Sequence, residues 1–348
     1  MHAWESVQKV LDYIEDNLAQ NHSPEKLSKV AALSPFYFQR LFTRLVKRPV
    51  NEYVKMRRLA RACDILEDNS KRILDIALDY GFNSHEHFTK TFKSAFGITP
   101  EEYRDNPVHL NQVMKPELLL NYTMIDENVP LITDDIVIEI TRRKLDAPEN
   151  YVGISGKVSV DQASFGETTG VSGPGQIWDN FHKKKSGLSC LFPSGTELGA
   201  SMMSEENDGT FNYFAGAFAY NNASVPSGFT AWQLPAGEYV VCQFEAENFA
   251  ELRTSALDKA LKYLFETWLP GHKLHTQPFS AEKYTDITAD PANMELWVLP
   301  VPLTEEQNAL CAYLFSAICL GNCYRMPFAA LLGERLESTQ FPMTQESR

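Results

Sequence analysis

Nowhere in these 348 residues do 18 apolar residues run together, so no membrane-spanning helix is expected. Cysteine is sparse: six residues, at 63, 190, 242, 311, 319 and 323, with no C-x-x-C pair among them. That spacing speaks against a disulfide scaffold and a zinc module and fits small reduced thiols in a cytoplasm. The opening "MHAWESVQKVLDYIEDNL" has no basic stretch followed by an apolar block, so no secretory leader is expected either. G-x-S-x-G, the phosphate-binding P-loop and H-E-x-x-H are all missing, and with them the commonest hydrolase, nucleotide and metalloprotease signals. No cofactor and no metal are therefore expected. What is present is apolar and acidic: 44% hydrophobic residues, 11% aromatic, and a net charge of −13. A chain of this length and composition predicts two or three globular domains.

The acidity is unevenly spread. Residues 1–107 carry 16 Lys and Arg against 15 Asp and Glu, and the remainder carries 16 against 30. The first third is a run of helical patterns. "WESVQKVLDYIEDNLAQ" places Val7, Val10, Leu11, Ile14 and Leu18 on one face. Ser23-Pro24 and Ser34-Pro35 are helix starts, a hydroxyl N-cap followed by proline at the first helical position. "PEKLSKVA", a tight turn and "SPFYFQRLFTRLVKR" make a short helix, a turn and a polar-faced helix, the helix-turn-helix pattern. It recurs in "ILDIALDYGF", with Gly81 at the turn, and in the helix after Asn83-Ser84, with Phe88, Phe92 and Phe96 inward. Phe38 and Phe42 correspond to Phe88 and Phe92 at an offset of 50, while the preceding helices match at 49. Between the copies, "NEYVKMRRLARACDILED" predicts a long helix, and Thr99-Pro100-Glu101-Glu102 a capping box. Basic residues gather at 40–48 and 55–61 and return at 71–72 and 90–93, either to neutralise phosphates or as a solvated helix surface.

Residues 7–104 resemble the DNA-binding domain of AraC/XylS-type transcription regulators, through "VLDYIEDNL", "SPFYFQRLF", "EYVKMRRLARACDIL", "ILDIALDYGFNS" and above all "FTKTFKSAFGITPEEYR". The resemblance implies two helix-turn-helix units on a long middle helix, with recognition helices entering successive major-groove faces of double-stranded DNA about 34 Å apart. By position, the first recognition helix offers Phe36, Gln39 and Arg40; Arg40 suits guanine and Gln39 adenine. The second offers His85, Glu86, Thr89 and Lys90. Arg44, Lys47, Lys93 and the helix N-termini at Ser34 and Ser84 would meet phosphates. Glu86 departs from the family pattern, which has a small polar residue there; a carboxylate repels phosphate unless it accepts from cytosine. His85-Glu86-His87 is not a metal motif: residues two apart on a helix point about 200° apart, and the i+4 positions hold Thr89 and Thr91. His87 is expected to pack beside the helix start.

Residues 107–133 contain three prolines and read as a linker with ordered parts. From 134 the period changes to strands. "IVIEITRR" and "NYVGISGKVSV", then the helical "GQIWDNFHKKK", then "ELGASMMSE" and "FNYFAGAFAY" form one group. "FTAWQLPAGEYVVCQFEA", the long helix "FAELRTSALDKALKYLFETWLPG", "FSAEKYTDI" and "MELWVLPV" form a second. Tyr151-Val152 and Tyr239-Val240, 88 residues apart, mark the repeat. The expected fold is multidomain: an all-α double helix-turn-helix domain over 1–106, a linker, and an α+β domain of two ββαββ repeats over 134–301 with a ligand groove between halves. Residues 302–348 are expected to form a C-terminal extension, helical in part.

"ENYVGISG", "PAGEYVVCQFE" and "MELWVLPV" make residues 134–300 similar to gyrase-inhibitor-like (GyrI-like) effector-binding domains. The resemblance implies an aromatic-lined pocket for a small amphipathic cation, with the closing-strand glutamate, here Glu295, as its counter-charge. Alternation puts Trp297 on the same face as Glu295. Tyr151, Trp178, Phe181, Trp268 and Tyr284 are candidate walls, against the plainer alternative that such aromatics are core. The two resemblances together imply a transcription regulator whose promoter binding, or contact with RNA polymerase, responds to a small-molecule effector. Two alternatives stand beside it: a small-molecule hydrolase using Glu295 with Tyr151 or Tyr239, and a protein that sequesters a partner on its acidic half.

Overall fold

The computed structural model describes residues 2–133, 135–160, 169–193, 195–203, 209–221, 224–285 and 291–303. The expectation of a C-terminal extension falls, from residue 304 onward, outside the described residues, as do Cys311, Cys319 and Cys323.

Seven helices open the chain: α1 (Ala3–Asp16), α2 (Pro24–Val30), α3 (Pro35–Val46), α4 (Val50–Leu66), α5 (Ile73–Asp79), α6 (His85–Phe96) and α7 (Pro100–Asp105). Their starts are the hydroxyl caps of the sequence. Ser23 accepts from the Lys26 amide, Ser34 from Tyr37 and Ser84 from His87, each satisfying a donor that the helix leaves unpaired. Thr99 and Glu102 form the reciprocal capping box of α7, with bonds of 2.7 and 3.1 Å. Two cores form. Val7, Val10, Leu11 and Ile14 pack with Leu27, Phe38, Phe42 and Tyr53; Leu59, Ala62, Cys63 and Leu66 pack with Ile76, Phe88, Phe92, Phe96 and Tyr103. Helix α4 thus gives its first half to one helix-turn-helix and its second half to the other.

Two basic residues of the 55–61 cluster take neither of the roles expected for that cluster. Arg57 is buried: its guanidinium bonds both Glu15 oxygens at 2.8 Å and the Val113 carbonyl at 2.6 Å. Arg58 reaches the carbonyls of Leu18 (2.8 Å), Gln20 (2.7 Å) and Gly81 (3.1 Å). Spacing alone does not separate an arginine that faces phosphate from one that ties α4 to α1.

The segment after α7 is bonded on both sides. Its short strand β1 (Leu110–Asn111) pairs with β5 (Gly170–Val171). Val113 and Leu118 enter the first helical core, and Leu120 and Ile125 enter the core of the following domain. His109 sits against α8 (Gly173–Lys184), its Nε2 3.0 Å from Asp179, while Arg253 lies 2.9 Å from its Nδ1. Burial and the nearby Arg253 charge lower the pKa of this imidazole, which favours the neutral form; in that form Nε2–H can donate to Asp179 and Nδ1 can accept from Arg253. Its close seat requires Gly175: a Cβ there would lie 2.4 Å from that of His109.

The remaining chain forms one nine-stranded antiparallel sheet in the order β2-β3-β9-β12-β11-β6-β7-β4-β8. Its strands are β2 (Leu131–Ile132), β3 (Val137–Leu145), β4 (Glu149–Ser159), β6 (Glu197–Met203), β7 (Thr210–Phe218), β8 (Thr230–Leu234), β9 (Gly237–Ala246), β11 (Phe279–Tyr284) and β12 (Ala292–Val298). Two further strands, β10 (Leu274–Thr276) and β13 (Pro300–Pro302), pair separately. The two repeats are present, but their leading strands are exchanged. The expected pairs β3–β4 and β8–β9 do not form; β3 joins β9 of the second repeat, and β8 joins β4 of the first. Each repeat therefore completes the other's half of the sheet. Two residues separate β8, at one edge, from β9, third from the other edge, so the sheet curls back on itself. Helix α8 and the helical run 249–271 cover the outer face. That run contains two π-helical stretches, Leu252–Ala256 and Tyr263–Trp268. Tyr151, Leu198, Phe214, Leu234, Tyr239, Val241 and Trp297 fill the inside of the curl.

Candidate DNA-reading helices and candidate effector site

The N-terminal turns of α3 and α6 face solvent. Phe36 and Tyr37 are 65% and 67% exposed, unusual for large aromatics, and Gln39, Arg40, Arg44 and Lys47 are exposed with them. The Arg40 guanidinium lies 5.7 Å from the Phe36 ring centroid, close enough for a cation–aromatic contact that holds both on one patch. On α6, His85, Glu86, Lys90 and Lys93 are exposed. The His85 Nε2 lies 3.0 Å from a Glu101 carboxylate oxygen on α7, so the start of this helix carries two acidic groups, Glu86 and Glu101. His87 is exposed and meets Phe82 edge-on at 5.6 Å. Thr89 departs from the expectation of a base-facing residue. It follows the buried Phe88 at the margin of the apolar stripe, and its hydroxyl oxygen is buried without a hydrogen-bond partner.

The seven candidate ligand residues are divided among three places. Glu295, Trp297 and Tyr151 share the inside of the curl. Trp178, Phe181 and Tyr284 lie on the opposite face, where Phe181 belongs to the core beneath α8 and Trp178 meets Tyr284 edge-to-face at 5.4 Å. Trp268 lies in the core under the helical run, donating to the Ile125 carbonyl at 3.1 Å and stacked on His272 at 3.9 Å. Composition offered aromatics but not which face each would take; strand register settles that for Tyr151, Tyr284 and Trp297, and helix packing for Trp178, Phe181 and Trp268.

Inside the curl the charged groups pair among themselves. Arg143 bonds Glu295 at 2.6 Å and also reaches Gln243, and the Trp297 indole donates to the other Glu295 oxygen at 2.8 Å. Lys283, directly opposite Glu295 in register, pairs with Glu149 at 2.7 Å. The Tyr151 hydroxyl donates to that same glutamate at 2.6 Å. Sequence reasoning missed Arg143, Lys283 and Glu149, because β3, β11 and β4 bring them from distant parts of the chain.

A second carboxylate cluster lies under α8. Tyr213 and Tyr284 donate to the buried Glu282 at 3.2 and 3.0 Å, and the Trp178 indole donates to the Tyr213 hydroxyl at 3.0 Å. Burial pushes the Glu282 carboxyl up, and the two phenols only partly offset it.

Residues 27–106 match the family model for a helix-turn-helix domain, and residues 164–301 the one for an integron-associated effector binding protein. An uncharacterised helix-turn-helix transcriptional regulator of Bacillus subtilis, YbfP, is 40% identical over 104 residues, 30% of this chain and 35% of its own length. The chain thus spans about a third of that relative. The transcriptional activator AarP of Providencia stuartii is 32% identical over 108 residues, 31% of this chain and 80% of its own. An integron cassette protein of Vibrio cholerae superposes on 47% of this chain and 95% of its own, at 11% identity and a TM-score of 0.36. With the double helix-turn-helix in front and the curled sheet behind, the chain belongs to the AraC family of transcription regulators and carries a C-terminal effector-binding domain.

Proposed function

We propose that this regulator binds double-stranded DNA through α3 and α6, and that a small amphipathic cation seated at Glu295, Trp297 and Tyr151 alters promoter binding or polymerase contact. The observation that carries the DNA reading is the exposed Phe36, Gln39 and Arg40 face at the start of α3, repeated at the offset of 50 by the exposed Glu86 and Lys90 on α6, with His85 exposed beside them. Phosphate contacts from Arg44, Lys47 and Lys93 would set register, and the base-facing side chains would set sequence. The effector reading rests on a carboxylate and an indole face enclosed by a curled sheet, a setting in which an organic cation is stabilised both by charge and by the aromatic quadrupole.

The hydrolase alternative gains nothing from the geometry. The Tyr151 hydroxyl is bonded to Glu149, and the Tyr239 hydroxyl to the Pro235 carbonyl at 2.7 Å. Neither meets Glu295.

Linkage requires that a ligand which changes DNA affinity have its own affinity changed by DNA to the same factor. The test is DNA affinity at fixed salt with and without tetraphenylphosphonium, in the wild-type chain and in Glu295→Gln. A ligand-dependent change that Glu295→Gln abolishes is expected. Equal affinities in all four measurements would leave only ligand control of polymerase contact.

A further inference from the structure

The inside of the curl already contains a cation. Lys283 is 7% exposed, and its Nζ lies 4.2 Å from the centroid of the Trp297 ring. That is the position over an aromatic face at which a bound ammonium is held. Its charge is matched by Glu149 at 2.7 Å, and the Tyr151 hydroxyl steadies that carboxylate. Arg143 meanwhile neutralises Glu295, and its guanidinium carbon lies 5.8 Å from the same indole. Two carboxylates, two basic side chains and one aromatic face thus form a closed set, with Lys283 the most enclosed of the basic pair.

We propose that Lys283 is a tethered occupant of the cation position and the residue that sets this domain's specificity: an effector cation binds only by displacing its ammonium from Trp297 and Glu149. This rests on the effector seat proposed above. A lysine suits the role because its four-carbon stem is flexible and its ammonium can leave for solvent while the stem stays on apolar surface. Binding is then an exchange of one cation for another, weaker than filling an empty site. A neutral side chain of similar length at 283 leaves Glu149 and the indole face vacant for a ligand.

The test is isothermal titration of tetraphenylphosphonium into the full chain as wild type, Lys283→Met, Lys283→Gln, Glu149→Gln/Lys283→Met and Glu295→Gln, with thermal melts to confirm folding. At least one folded Lys283 variant should bind about tenfold or more tightly than wild type, the size a desolvated cation–aromatic contact supports. The Glu149→Gln/Lys283→Met variant should return that gain. Folded Lys283 variants that bind no better than wild type overturn the proposal; if wild-type binding is then lost in Glu295→Gln, the effector seat itself stands. No binding by any variant at millimolar ligand overturns both.

Discussion

The two helix-turn-helix units have the same plan and meet its demands differently. Each needs a left-handed residue after its short helix and another after its recognition helix. The second unit uses glycine at both, Gly81 (φ 74°) and Gly97 (φ 81°). The first places Ala32 (φ 55°) and Lys47 (φ 59°) at the same points. A side chain in that region costs roughly 1–2 kcal/mol that glycine avoids. The first unit also has what the second lacks among the described residues, a buried ion pair between α1 and α4. The second instead has a run of rings: Phe82, Phe88, Phe92, Phe96 and Tyr103, neighbours at 4.8–6.0 Å. One copy adds a buried ion pair to a shorter ring run, Phe38, Phe42 and Tyr53, and tolerates backbone strain; the other has the longer ring run on a relaxed backbone.

The sharpest way to break this contrast is Arg57→Ala, which leaves Glu15 buried without its partner. A loss of about 3–5 kcal/mol is expected in chemical denaturation, beginning in the first unit. The same pair predicts a pH response. Burial alone would raise the Glu15 carboxyl, but the Arg57 hydrogen bonds and charge outweigh it and hold the pKa below its ordinary value. A depressed folded-state pKa contributes stability that is complete above the unfolded value of about 4.3 and is lost as pH falls through the folded one. Acid melts should show that loss in wild type, and Arg57→Ala should flatten it.

A smaller effect is expected at the second turn. Gly81→Ala would strain the backbone and set a Cβ 2.9 Å from both the Ala19 carbonyl oxygen and the Arg58 guanidinium carbon. A destabilisation of about 1–3 kcal/mol should follow in the same assay. The smallest change has the opposite sign. Ala32→Gly relieves a left-handed alanine but loosens the unfolded chain, for a net gain of no more than about 1 kcal/mol. Were Ala32→Gly to destabilise strongly, the contrast between strained and relaxed copies would be wrong.

The helical third was legible because its signals are local. Ser23-Pro24, Ser34-Pro35 and Thr99-Pro100 announce helix starts within two residues, and Phe38, Phe42, Phe88 and Phe92 show the repeat by position alone. The strands were legible too, through alternation and turn residues. What the chain did not disclose was which strand lies beside which. Strand exchange moved Arg143 next to Glu295, 152 residues away, and register put Lys283 on the face of Trp297 and Tyr284 on the other. Aromatic type cannot separate Tyr151, inside the curl, from Trp268, beneath a helix. Arg57 and Arg58 taught the same lesson in the helical domain, since their partners Glu15, Val113 and Gly81 lie far along the chain.

The segment after α7 has a mechanical consequence. A free tether would let the helix-turn-helix pair tumble against the sheet and lose that freedom only on reaching DNA. Here His109 is wedged against Gly175 and bonded to Asp179, and the β1–β5 ladder follows at once. The slack has been removed in advance. The rotational entropy of orienting α6 against the sheet is surrendered during folding, and a displacement of α8, were it to occur, would reach α7 across a link of only three residues, Asn106 to Val108.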